Sequence, residues 1–163
     1  MADIQQLAHE LGSALSRQGG IATTAESCTG GGVSAAITDV AGSSGWFDRA
    51  FITYSNEAKQ QMLGVELAQL EAHGAVSEQV VQQMAQGALK HSAATISVAI
   101  SGIAGPGGGT AEKPVGTVCF AWADTTGWIQ CETCFFDGDR NAVRLQAVEK
   151  SLSGMLQRLQ QQG

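Results

Sequence analysis

Ile4, Leu7, Ala8, Leu11 and Leu15 recur at the spacing of one helix face, and the pattern stops at Gly19-Gly20. The run IATTAES at 21–27 reads as a short strand, with helix following from about Gly31 through Val33, Ala36 and Ile37. AGSSGW at 41–46 is a loop by composition, and the β-branched and aromatic run at 49–55 predicts a second strand. Ser55 is placed to cap a short helix that ends near Gly64, with Glu57 in its first turn. A minor helix fits 65–71. Ser77 opens a clearer one, whose apolar face is Val80, Val81, Met84, Ala85, Ala88 and Leu89.

Residues 95–105 form a continuous apolar run, as expected of a strand buried on both faces. A glycine-rich loop follows, then two strands around Asp124-Thr125-Thr126-Gly127, which reads as a hairpin. A long last helix starts near Asp139 and turns Val143, Val148, Leu152, Met155, Leu156 and Leu159 inward. The predicted fold is α/β: a three-layer α/β/α sandwich with a mixed, roughly five-stranded sheet ending in an antiparallel hairpin. At 163 residues the chain holds one full core, so residues 1–163 are read as a single domain.

Charge narrows the partners. Nine basic residues stand against fifteen acidic ones, for a net charge of −6, and no Lys/Arg cluster is present to neutralise a phosphate backbone. A nucleic-acid partner is not expected, and a small substrate is. The first twenty residues lack the basic and apolar blocks of an export signal. No run of about 18 apolar residues predicts a membrane span. Four sparse cysteines, at 28, 119, 131 and 134, fit free thiols in the cytoplasm better than a disulfide scaffold.

Ligands bind such sheets at the carboxyl ends of parallel strands. Three polar or glycine-rich segments fall there: 27–31, 54–59 and 101–110. In the first, Ser27 or Thr29 can simply cap the next helix. Alternatively, Ser27 is a nucleophile whose oxyanion is met by backbone N–H groups at Gly30 and Gly31. Cys28 would share the same helix dipole and is the competing nucleophile. A serine needs a base, and His9, His73 and His91 all lie away from these loops. Lys59 is the better partner, because a helix start and burial both disfavour its ammonium form; a solvated surface lysine is the alternative. Tyr54, just before it, could orient the amine or relay a proton.

SGIAGPGGGT at 101–110 offers a backbone cradle for a phosphate or carbonyl, or a wide turn. It matches neither a Walker loop nor a dinucleotide fingerprint. CETC at 131–134 has CxxC spacing but lies in a predicted strand, where i and i+3 face opposite ways, and no second pair completes a zinc site. Arg140 opens the last helix, where it could reach an anion or lie in solvent.

Taken together, AESCTGG, YSNEAK, GAVSEQV, SGIAGPGGGTAEKPVGTV and GDR resemble the C-terminal domain of CinA-type competence/damage-inducible proteins, in this order and over nearly the whole chain. In stand-alone form that family is a nicotinamide-nucleotide amidohydrolase. The resemblance implies hydrolysis of the carboxamide of nicotinamide mononucleotide to nicotinic acid mononucleotide and ammonia, with no metal and no cofactor. It implies a serine activated by a lysine with a tyrosine nearby, roles that fall on Ser27, Lys59 and Tyr54. Thr29, Ser101, Gly102, Gly105, Gly107, Gly108 and Arg140 would then line the nucleotide site. Members of the family tend to associate, and the first or last helix offers a face for a homo-oligomer. The larger CinA proteins carry an additional N-terminal domain of nucleotide pyrophosphatase type, which this sequence lacks.

Overall fold

The computed structural model describes residues 3–163. Met1 and Ala2, the first residues of the expected 1–163 domain and of the stretch read for export, lie outside the described residues. The elements run α1 (Ile4–Gln18), β1 (Ala22–Glu26), α2 (Gly32–Thr38), β2 (Phe47–Ile52), α3 (Asn56–Leu63) and α4 (Leu67–His73). Then come α5 (Glu78–Lys90), β3 (Ile96–Gly102), β4 (Thr117–Asp124), β5 (Ile129–Phe135) and α6 (Arg140–Gln162). The sheet order is β2-β1-β3-β4-β5. β1 is parallel to both its neighbours, while β3–β4 and β4–β5 are antiparallel. This is the mixed, five-stranded α/β arrangement that the periodicities predict.

Strand alternation divides the apolar residues into two cores. Ile96, Val98 and Ile100 face one way and pack with Leu11, Leu15, Ile37, Leu152 and Met155 from α1, α2 and α6. The opposite face is built from Ala25, Ala99, Ala121 and Ala123, against Val80, Val81, Met84, Ala85 and Ala88 of α5. Small residues on the sheet let α5 lie close, and each fully buried larger side chain contributes roughly 1.5–3 kcal/mol.

The same closeness continues from α5 to α3. A Cβ on Gly87 would fall on the carbonyl oxygen of Leu63, at the end of α3. Gly87→Ala is therefore expected to displace α3 and to destabilise the protein by about 1–3 kcal/mol, measured by denaturant unfolding.

Some boundaries differ from the sequence-based expectation. β2 lies at Phe47–Ile52, not at 49–55, because Ser55 leaves the strand to cap α3, its Oγ accepting from Ala58 N at 3.0 Å. The apolar run at 95–105 pairs only to Gly102, after which the chain turns into the loop. Cys131 and Cys134 do sit on opposite faces of β5, the first packed with the α5 core and the second with the α6 core. No helix among the described residues is long and apolar enough to cross a membrane.

The chain leaves β1 toward one edge of the sheet, through α2 to β2, and leaves β3 toward the other edge, to β4. Loops that diverge from two adjacent parallel strands open a crevice between their carboxyl ends. The candidate functional site lies there.

Candidate active site

A cleft of about 310 Å³ opens at this crevice and is lined from all three strand-end segments: Ser27 and Cys28, Tyr54, Asn56 and Lys59, and the loop from Ser101 to Gly108. Arg140 of α6 closes one side, and Ala75 and Val76 before α5 close another.

The turn after β1 is organised by Glu26. Its register partners Ile52 and Ile100 place Glu26 on the α2–α6 face, so the next residue, Ser27, is directed toward α3. The Glu26 carboxylate is fully buried and accepts hydrogen bonds from Thr29 Oγ1 (2.7 Å), Thr24 Oγ1 (3.1 Å) and the N–H groups of Gly31 (3.1 Å), Val33 (2.9 Å) and Ser34 (2.9 Å). A buried carboxylate at the start of α2 satisfies donors that the helix cannot, and its charge is favoured by the helix dipole. Gly30 and Gly31, at φ 58° and 102°, give the turn its left-handed backbone. From α6, Arg144 donates to the carbonyls of Cys28 (3.0 Å) and Thr29 (3.2 Å), pinning the turn from outside.

This network corrects three expected roles. The Gly30 N–H is bonded to the Ser27 carbonyl and the Gly31 N–H to Glu26, so neither is free to meet an oxyanion. Thr29, expected to touch substrate, is buried with its hydroxyl on Glu26 and does not line the cleft. The N–H groups of Cys28 and Thr29 make no hydrogen bond to another described residue.

Lys59 is buried at 1% exposure near the start of α3. Its Nζ lies 3.0 Å from Ser27 Oγ and donates to the carbonyls of Thr53 (2.8 Å) and Tyr54 (3.2 Å). Burial lowers its pKa to about 8, against a smaller opposing effect of Cys28. The geometry suits the neutral amine: two N–H bonds are taken by the two carbonyls, and the lone pair is left for the serine proton. The Tyr54 side chain is elsewhere. It is exposed at the cleft mouth, where its hydroxyl accepts from Arg140 Nη2 at 3.4 Å, so the backbone of Tyr54 rather than its phenol orients the amine.

Cys28 lines the cleft but is a poor nucleophile, because burial pushes its thiol up to about 11. Cys28→Ala is expected to keep at least half of any turnover, measured beside the parent enzyme at one pH. On the opposite wall, Ser101 is buried and its hydroxyl makes no hydrogen bond to another described residue. Gly102 is paired with β4, whereas the N–H groups of Ala104, Gly105, Gly107 and Gly108 have no acceptor among the described residues. They form a candidate anion cradle. Arg140 braces it, with Nη1 on the Gly105 carbonyl at 2.7 Å.

Sequence reasoning missed the inward turn of Glu26 and the clamp by Arg144. The one available signal for Arg144 was its position one helical turn beyond Arg140, on the same face.

The CinA C-terminal domain model matches residues 4–159. The chain is 55% identical over 161 residues to the nicotinamide-nucleotide amidohydrolase PncC of Escherichia coli strain K12, covering 98% of this chain and 97% of that one. It is 50% identical over 157 residues to the PncC of Pseudomonas putida, covering 96% and 98%. Its fold superposes on the crystal structure of the competence/damage inducible protein CihA from Agrobacterium tumefaciens with a TM-score of 0.94, at 45% identity and covering 98% and 97% of the two chains. The chain belongs to the CinA C-terminal domain family.

Proposed function

We propose that this protein is an amidohydrolase that cleaves the carboxamide of nicotinamide mononucleotide, releasing ammonia and nicotinic acid mononucleotide, with Ser27 as nucleophile and Lys59 as its base. The observation that carries the mechanism is the buried Lys59 amine, 3.0 Å from Ser27 Oγ and held by two backbone carbonyls. The substrate class is supported by the names of relatives at 50–55% identity over nearly the whole chain.

Lys59 takes the serine proton as Ser27 Oγ attacks the amide carbon. The oxyanion falls to the free N–H group of Cys28, which lines the cleft in a turn that Glu26 and Arg144 hold still. Protonated by Lys59, ammonia leaves; water, deprotonated by the same amine, then opens the acyl-serine. The free N–H groups of the Ala104–Gly108 stretch, with Arg140, receive the phosphate, and Tyr54 flanks the ring at the mouth.

Ammonia release from nicotinamide, its riboside and its mononucleotide tests the reading directly. The mononucleotide should be turned over best by kcat/KM. Failure to release ammonia from all three would refute it.

A further inference from the structure

Lys59 and Arg140 are the charged residues that line the cleft, and no carboxylate lines it among the described residues. In a protein of net charge −6, this pocket is positive by composition. Its deepest cation, Lys59 Nζ, stands beside the oxygen to which the acyl carbon is bonded before release. We infer that the cleft is a carboxylate receptor as well as a site of amide attack: the ammonium form of Lys59 pairs with the acid product, while the neutral form is the one that accepts the amide. This rests on the amidohydrolase reading above.

The proton balance leads to the same arrangement. Water forms the new C–O bond and the serine C–O bond breaks, with the Ser27 oxygen recovering its proton. The carboxylic acid so formed is far stronger than an ammonium ion, so its proton passes to the Lys59 amine. Net, amide and water become ammonia, a carboxylate and one proton, and the proton remains on Lys59. The product is therefore born as an ammonium–carboxylate pair, in a site where burial strengthens such a pair. The substrate has the opposite preference. Its pyridinium ring is itself a cation, its carboxamide carries no compensating charge, and an ammonium at Lys59 repels it while withholding the base.

The groups around Lys59 leave it as the one that switches. On the β1 turn, Glu26 faces the other core with its oxygens occupied, and Cys28 stays protonated with its pKa at about 11. The β2 end brings the Thr53 and Tyr54 carbonyls, with the Tyr54 phenol turned to Arg140. β3 brings Ser101, and α6 brings Arg140. On α3 itself Glu57 is exposed. Of α5, packed on α3, Glu78 is bonded to Thr133, and Lys90 lies beside Leu63 and Gly64 at the far end of α3.

The test is calorimetry on Ser27→Ala, which keeps Lys59 and cannot turn ligand over, with nicotinic acid mononucleotide and nicotinamide mononucleotide between pH 7 and 9. Both phosphates stay dianionic over that range. With Lys59 losing its proton near pH 8, the acid should bind about tenfold more weakly at pH 9 than at pH 7, and the amide more tightly at pH 9. The product inhibition constant of the unmodified enzyme should move with the acid. Lys59→Met should abolish the pH dependence for both ligands. An acid affinity that is flat or rises with pH overturns the inference. So does an equal shift for both ligands, which would place the switch elsewhere, or persistence of the acid's pH dependence in Lys59→Met. Should Lys59→Met fail to fold, the opposed slopes in Ser27→Ala decide alone. Absence of ammonia release by the unmodified enzyme would instead sink the amidohydrolase reading.

Discussion

Ser27→Ala is expected to lower the rate of ammonia release by roughly 10³-fold or more while nicotinamide mononucleotide still binds. The Ser27 oxygen is the atom that Lys59 addresses, and nothing beside it can take its place. The neighbouring thiol is held protonated by burial, and the hydroxyl of Thr29 is committed to Glu26. The loss should be in kcat, because the loop N–H groups and Arg140 that would hold the nucleotide remain. Steady-state ammonia assays and calorimetry on the same preparation separate the two effects. A variant that kept more than a tenth of the parent rate would remove Ser27 from the mechanism.

Lys59→Met is expected to cost a similar factor and to remove a pH dependence as well. Methionine matches the length and burial of the lysine stem but offers no proton acceptor. In the parent enzyme only roughly a tenth of the molecules carry neutral Lys59 at pH 7, so kcat/KM should rise with pH, pass its midpoint near 8 and level off above about 9. The residual activity of Lys59→Met should show no such rise.

Stability carries the same signature. Folded Lys59 sheds its proton at about 8, and the unfolded chain keeps one until 10.5. Between those values the unfolded state binds more protons, so stability rises with pH. The parent should therefore gain stability relative to Lys59→Met as pH climbs from 8 toward 10.5, by up to about 3 kcal/mol, with no relative change below about 7. Urea unfolding of both proteins across this range reads it.

Much of this arrangement was legible in the chain because burial imposes periodicity. Leu11 and Leu15 in α1, Val80 to Ala88 in α5 and Leu152 to Leu159 in α6 recur at helical spacing because one face of each helix meets the sheet. Ile96, Val98, Ala99 and Ile100 make β3 apolar on both sides because both its faces are covered. Ser27 and Lys59 stood out because polar residues at parallel strand ends have no packing reason to be there.

What stayed hidden were choices of direction and partner. Glu26 could have faced the cleft or the helix start, and only its place in the β1 register turns it to α2. That turn consumes the Gly31 N–H, and the tight bend itself consumes that of Gly30, which shifts the free donor at the cleft to Cys28. A tyrosine five residues before a lysine suggests a shared proton. The chain conformation at the end of β2 instead offers Lys59 the tyrosine carbonyl and sends the phenol to Arg140, 86 residues away. Such long-range pairings leave no periodic trace.

The most direct measurement is the titration of the Lys59 side-chain nitrogen by ¹⁵N NMR, set beside the pH profile of kcat/KM for nicotinamide mononucleotide. A midpoint near pH 8, coincident with the rise in kcat/KM, is the predicted result. A Lys59 midpoint near that of a free lysine, or a kcat/KM that does not follow it, would contradict the assignment of this amine as the base for Ser27.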